Sequence, residues 1–292
     1  MSSEFPSHEI LNAQRGREFA AYTANLSLFE KEHFSNISEW LSEQNLAPRS
    51  ETAYLATFSY IAGGWTTVTP YEIVANQGIT SLVDAVSAAE RGDLDDFSAY
   101  NTRHSHRKVN ASYVAESFQS LNSLSVAGEQ VESFDEFFET LRYRKNSLLD
   151  NGVDDSEAAH KTFKTAWNSL KSISYFGPLS AFDWLEVVVF VHGDEWIAPK
   201  EIRPEYFDTG SNPSKGFEAI FGSGIESEEA TQYTDILEDY AYNILGKDMP
   251  SAMFDMESAL CVFYKDLDEV EELVKETSTV DTDCLPNRSD DC

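Results

Sequence analysis

The chain has 292 residues, 41% of them hydrophobic, which is enough to bury a substantial core without disulfide support. Its 51 acidic residues against 21 basic ones leave a formal charge of −30, which argues against a general polyanion binder. No apolar run approaches the 18 residues of a membrane span, and Met1-Ser2-Ser3-Glu4 opens no signal-peptide pattern, so we expect a soluble cytoplasmic protein with no membrane partner.

In chain order, helical spacing dominates. Phe19, Tyr22, Leu26 and Phe29 share one helical face. Thr69-Pro70-Tyr71-Glu72 sets a capping hydroxyl, a first-turn proline and an early carboxylate in the order of a helix start. Arg103-His104-Ser105-His106-Arg107-Lys108 is the densest basic run; Arg103, Arg107 and Lys108 are its candidate phosphate contacts, the alternative being a solvated helix face. Ser133-Phe134-Asp135-Glu136 matches a capping box that opens a helix carrying Phe137, Phe138 and Leu141. Ser227 to Leu245 puts Ile236, Leu237, Tyr240, Ile244 and Leu245 on one stripe. The expected class is all-α. Asp150-Asn151-Gly152 suggests a seam, with residues 1–150 as an N-terminal helical layer and 151–276 as a second half. Residues 277–292 read as a disordered acidic tail. Cys284 and Cys292 fall in that tail and Cys261 in a helical pattern, so the three cysteines form neither a zinc site nor a disulfide framework.

The charge is uneven. Arg103 to Lys171 holds nine basic and ten acidic residues, while the rest holds 12 against 41. A nucleic-acid face can survive in that neutral stretch; chance clustering is the alternative. Molar salt shortens the Debye length to about 3 Å, so a halophilic cell, or a virus infecting one, is the expected setting. An ordinary acidic protein with protein partners is the other reading.

From Phe163 to Phe190 two periodic helices flank the turn Ser174-Tyr175-Phe176-Gly177-Pro178-Leu179-Ser180-Ala181. The layout is similar to the helix–hairpin–helix of DNA glycosylase-like folds, whose hairpin grips a phosphate backbone. Tyr175 to Leu185 and Met256-Glu257-Ser258-Ala259-Leu260-Cys261 together resemble the α-glutamyl/putrescinyl thymine pyrophosphorylases, a glycosylase-fold family associated with hypermodified viral DNA. The resemblance spans roughly His160 to Lys275. It implies an amino acid or polyamine:DNA transferase. An amine would displace pyrophosphate from a pyrophosphorylated 5-hydroxymethyluracil, leaving the glycosidic bond intact. DNA and a small amine are then the partners, and Gly177 and Ser180 would help to seat the DNA backbone. The chain departs from true glycosylases at three places: Tyr175 stands where a hairpin glycine is usual, Leu179 where bifunctional members carry a lysine, and Ile197 where a catalytic aspartate follows. Asp194 and Glu195 lie nearby but out of register. A non-catalytic DNA- or protein-binding module and a base-excising glycosylase stay open as alternatives.

Three acids stand out. The helix from Ser180 to Val191 is apolar nearly all round, so it belongs at the centre of the fold, yet it carries Asp183 and Glu186 at i, i+3. Neighbouring buried carboxylates raise one another's proton affinity, as general acid/base work requires; structural acceptors are the alternative. Glu257 falls on the apolar stripe of Met253, Leu260, Cys261 and Tyr264, where a carboxylate must be paired or neutral. It would take the proton of the incoming ammonium or hold it as an ion pair. Thr209 to Gly216 precedes a helical pattern and offers Ser211, Ser214 and Lys215 as an anion cradle for the diphosphate, or else an ordinary capped helix start. No cofactor is identified; a divalent metal is possible, but no ligand set is visible, since His-x-His lacks a third ligand.

Overall fold

The computed structural model describes residues 13–25, 34–94, 111–225, 227–243, 245–265 and 267. Arg103, Arg107, Lys108 and the tail 277–292 lie outside these described residues. Twelve α-helices occur among them: α1 (Ala13–Asn25), α2 (Ser35–Glu43), α3 (Glu51–Ala62), α4 (Val68–Pro70), α5 (Leu82–Glu90), α6 (Ala111–Ser120), α7 (Phe134–Asp150), α8 (Asp155–Leu170), α9 (Gly177–Phe190), α10 (Ser211–Phe221), α11 (Ser227–Asn243) and α12 (Ser251–Lys265). The described sheet is one hairpin, β1 (Ser125–Val126) with β2 (Glu129–Gln130), turned by Ala127 and Gly128, both at positive φ. The class is all-α. No described helix is long and apolar enough to cross a membrane.

The chain divides into two compact units, Met1–Glu30 with Lys200–Cys292, and Lys31–Pro199. The turn at 151–154, where the sequence suggested a seam, joins α7 to α8 inside the second unit.

In the unit Lys31–Pro199, α3 and α9 are the two helices with little polar face; α3 is buried from Ala53 to Ile61, and α9 from Ala181 to Val189 apart from half-buried Glu186. Ser50 caps α3 by accepting from the Ala53 N–H at 3.3 Å, and Glu51 adds a carboxylate to its first turn. Phe58 of α3 stacks on Phe176 at 4.4 Å and meets the edge of Trp184 from α9 at 5.6 Å. Phe134 packs against both rings. Burying each such side chain contributes roughly 1.5–3 kcal/mol, so this aromatic cluster anchors the unit.

The start of α7 follows the expected capping pattern in part. Ser133 Oγ accepts from the Glu136 N–H at 3.0 Å, but the Glu136 carboxylate reaches past Ser133 to the Glu132 N–H at 2.7 Å. The helix start expected at Thr69 is corrected. Thr69 lies inside α4 with its hydroxyl buried and unpartnered, and Thr66 accepts from the Val68 N–H instead, at 3.3 Å. Tyr71–Asn76 then continues as a π-helical turn.

In the other unit, Phe19 of α1 packs edge-on against Phe263 of α12 at 5.2 Å and lies 5.7 Å from Tyr240 of α11. Ile236, Leu237 and Tyr240 form the buried stripe of α11 that their spacing implies. Gly216 brings α10 onto α12 backbone to backbone: a Cβ there would sit 2.3 Å from the Leu260 carbonyl oxygen. Only glycine permits that approach.

Candidate functional site

Glu257 is buried on α12 between Met253 and Leu260. Its carboxylate is engaged rather than bare. The Thr209 hydroxyl donates to Oε1, and the Ser258 hydroxyl donates to Oε2 at 3.4 Å. Thr209 is itself buried and immediately precedes Gly210, the extended residue before α10. Gly210, at the N-cap of α10, has no side chain to cap it, and the first N–H groups carry the positive end of the helix dipole. Lys215 holds its ammonium 5.0 Å from the Tyr264 ring. Cys261 lies one turn after Glu257; burial, then the Glu257 charge, push its thiol pKa up. Glu257 and the Thr209–Gly216 segment, read separately in the sequence, therefore meet.

The two serines of this segment differ. Ser214 donates to the carbonyl oxygens of Phe207 at 3.1 Å and Gly210 at 3.4 Å, so its proton serves the main chain. Ser211 is exposed, its hydroxyl 3.4 Å from Asn212 Oδ1. Asp255, two residues before Glu257, pairs with Lys247 at 3.5 Å. Chemically, a buried carboxylate beside an uncapped helix start and a lysine combines an ammonium acceptor with an anion cradle.

In the unit Lys31–Pro199, α8, a six-residue turn and α9 form the helical hairpin. Tyr175 has φ +57° and Gly177 φ +65°. The tyrosine thus adopts the left-handed geometry that a glycine normally supplies. Ser117 of α6 donates to the Ser174 carbonyl at 2.8 Å, Ser120 accepts from the Ser174 N–H at 3.0 Å, and Trp167 Nε1 donates to the Pro178 carbonyl at 2.8 Å. Tyr175 is 59% exposed and lies flat on Tyr113, with ring centres 4.3 Å apart and 10° between planes. Ser180 is half-buried in the first turn of α9; further along, Asp183 is buried and Glu186 half-buried. Asp183 and Glu186 thus belong to one unit and Glu257 to the other.

A further constellation was missed from sequence. Asp194 is wholly buried; its carboxylate accepts from the Tyr54 hydroxyl and from Trp196 Nε1 at 2.9 Å. Arg49 Nε lies 3.2 Å and Arg142 Nη2 3.6 Å from Oδ1. Arg49 also donates to the carbonyls of His192, at 3.1 Å, and Gly193. Burial and the Asp194 carboxylate drive the Tyr54 pKa far upward. Burial, with the Arg49 charge second, lowers the His192 pKa to about 3. His192 Nδ1 faces the Pro48 carbonyl and carries the proton, while Nε2 lies 2.8 Å from the Thr57 hydroxyl. The network braces the end of α9 against the start of α3. Its one sequence signal was Gly193-Asp194-Glu195-Trp196 after an apolar helix; the partners at 49, 54 and 142 carry no local pattern.

Among the described residues no group of three or more His, Cys, Asp or Glu side chains converges to hold a metal ion. The amino acid:DNA transferase family matches this chain over residues 32–271. No curated protein and no solved structure gives a significant match.

Proposed function

Because this chain belongs to the amino acid:DNA transferase family, and so is a DNA-modifying transferase, we propose that it joins an amine to a pyrophosphorylated 5-hydroxymethyluracil in DNA. The amine nitrogen forms a bond to the exocyclic methylene carbon. The bond from that carbon to the diphosphate oxygen breaks, pyrophosphate leaves, and the ammonium proton passes to a base. An amino acid or a polyamine would serve as the amine.

One observation carries the reading: the Thr209 hydroxyl on Glu257 ties a buried carboxylate to the uncapped start of α10. Glu257 would take the ammonium proton or hold the ammonium. The α10 N–H groups, Ser211 and Lys215 would receive the diphosphate; Ser214, committed to main-chain carbonyls, would shape that turn. Stabilising developing charge on a leaving group is where preorganised donors contribute most. In the other unit, Gly177 and Ser180 of the α8–α9 hairpin would seat the DNA backbone, in the manner of a helix–hairpin–helix. Asp183 and Glu186 remain candidate acids. The target base must leave the stack to react. The charge of −30 supports a high-salt cytoplasm as the setting.

The test is to incubate DNA bearing the pyrophosphorylated base with a pool of amino acids and polyamines at high salt, then digest it and weigh the nucleosides. A mass gain matching one amine, with pyrophosphate released, is expected. An unchanged base across the whole pool refutes the proposal.

A further inference from the structure

Helices α7 and α8, joined by the short turn at 151–154, pack together and leave a cleft of about 530 Å³. Its polar lining includes Tyr143, Arg144, Ser147, Lys161, Lys164 and Asn168, and among the described residues no carboxylate lines it. In a chain of net charge −30 that is a local reversal of sign. Lys161 pairs with Glu157 at 3.1 Å, a turn back on α8, and exposed pairs of this kind exchange readily for another anion.

Basic residues also form a row. Lys161, Lys164 and, just past the last residue of α8, Lys171 share one face at helical spacing with the neutral Asn168 between them, and the helix ends at the turn that carries Tyr175. From Lys161 to Lys171 the helix rises about 15 Å. That matches about four nucleotides of a stacked strand at 3.4 Å each. Beyond the row stands the exposed pair Tyr113 and Tyr175, held by the serines of α6. A cationic groove leading to an aromatic face is the combination that binds unpaired nucleic acid, phosphates on the first and a base on the second.

We propose that the α7–α8 cleft and the α8 lysine row are a track for single-stranded DNA, with a base stacked on Tyr175. The proposal deepens the transferase reading and rests on DNA being the substrate, but its test needs no modified base.

The experiment measures binding of the full chain to a labelled, unmodified 12-nucleotide strand by fluorescence anisotropy from 50 to 200 mM salt. Lys161→Gln with Lys164→Gln removes two exposed phosphate contacts. The slope of log K against log salt should then shrink by about 1.4, and affinity at 0.1 M should fall roughly 25-fold. Tyr175→Ala should weaken binding roughly 5- to 140-fold at every salt, with the slope unchanged. Restoring charge with arginine at 161 and 164 should restore the slope, which separates charge from misfolding. A double variant with the wild-type slope, tighter binding to duplex than to single strand, or no binding by the wild type overturns the track. If the variants behave as stated while no amine is ever transferred, the track stands and the transferase reading falls.

Discussion

His192 offers the sharpest test of the buried network. Its ring is held neutral in the fold, with a pKa of about 3 against 6.5 when exposed. Between those values the unfolded chain binds one proton that the folded chain refuses, so stability must fall as pH falls from 6.5 towards 3. Above 6.5 both states are neutral and this residue contributes no pH dependence. At 1.36 kcal/mol per pH unit, the loss from pH 7.5 to 4.5 comes to about 3 kcal/mol. Glu51, Asp135, Asp235 and Glu238 have pKa values raised chiefly by burial, so their protonation acts with the opposite sign as pH falls. A difference measurement cancels them. Urea unfolding of the wild type and of His192→Gln, followed by far-ultraviolet circular dichroism at fixed salt, gives that difference. Relative to the variant, the wild type should lose about 3 kcal/mol across this interval. Parallel pH profiles would refute the argument, because they would mean that the imidazole is protonated in the folded chain or that its site opens before the fold does.

Other outcomes follow from the packing and the site. Gly216→Ala must move α10 from α12 by about 1 Å, at a cost of about 1–3 kcal/mol, where an unobstructed Gly→Ala in a helix would stabilise; calorimetry should show Tm falling by about 5 °C, and a rise would deny the main-chain contact. Asp194→Asn should cost about 3 kcal/mol in urea unfolding, since Tyr54, Trp196 and Arg49 lose a charged acceptor, whereas half-exposed Arg142→Gln should cost about 1 kcal/mol or less. Glu257→Gln should abolish amine transfer while leaving helicity intact; full activity in the nucleoside mass assay would remove Glu257 from the mechanism. Lys215→Gln should weaken pyrophosphate binding roughly tenfold in calorimetric titration, and an unchanged affinity would take Lys215 out of the cradle.

Features set by local period were legible in the sequence. The central position of α9 follows from its lack of a polar face, the burial of Glu257 from its neighbours at i−4, i+3 and i+4, and the cap of α7 from Ser133. Features made by distant pairs were not. Thr209 and Glu257 are 48 positions apart, and the partners of Asp194 come from two other helices and a loop. Thr69 misled because Thr-Pro is an ordinary helix start, while the chain turns one residue group earlier, through Trp65 at φ +66° and Thr66. The sequence marked Tyr175 as a departure from glycine; it did not show that the tyrosine keeps the glycine's backbone geometry.

That geometry has a thermodynamic consequence. A tyrosine enters the left-handed well against a steric penalty of about 1–2 kcal/mol, and leaving it would pull Ser174 away from both serines of α6. With the backbone so held and the ring stacked on Tyr113, the side chain is parked before any ligand arrives, and the entropy of ordering it is lost during folding instead of at docking. Whatever settles on such a parked surface gives up little additional freedom. Tight association there would show itself as a long residence time, not as a faster arrival.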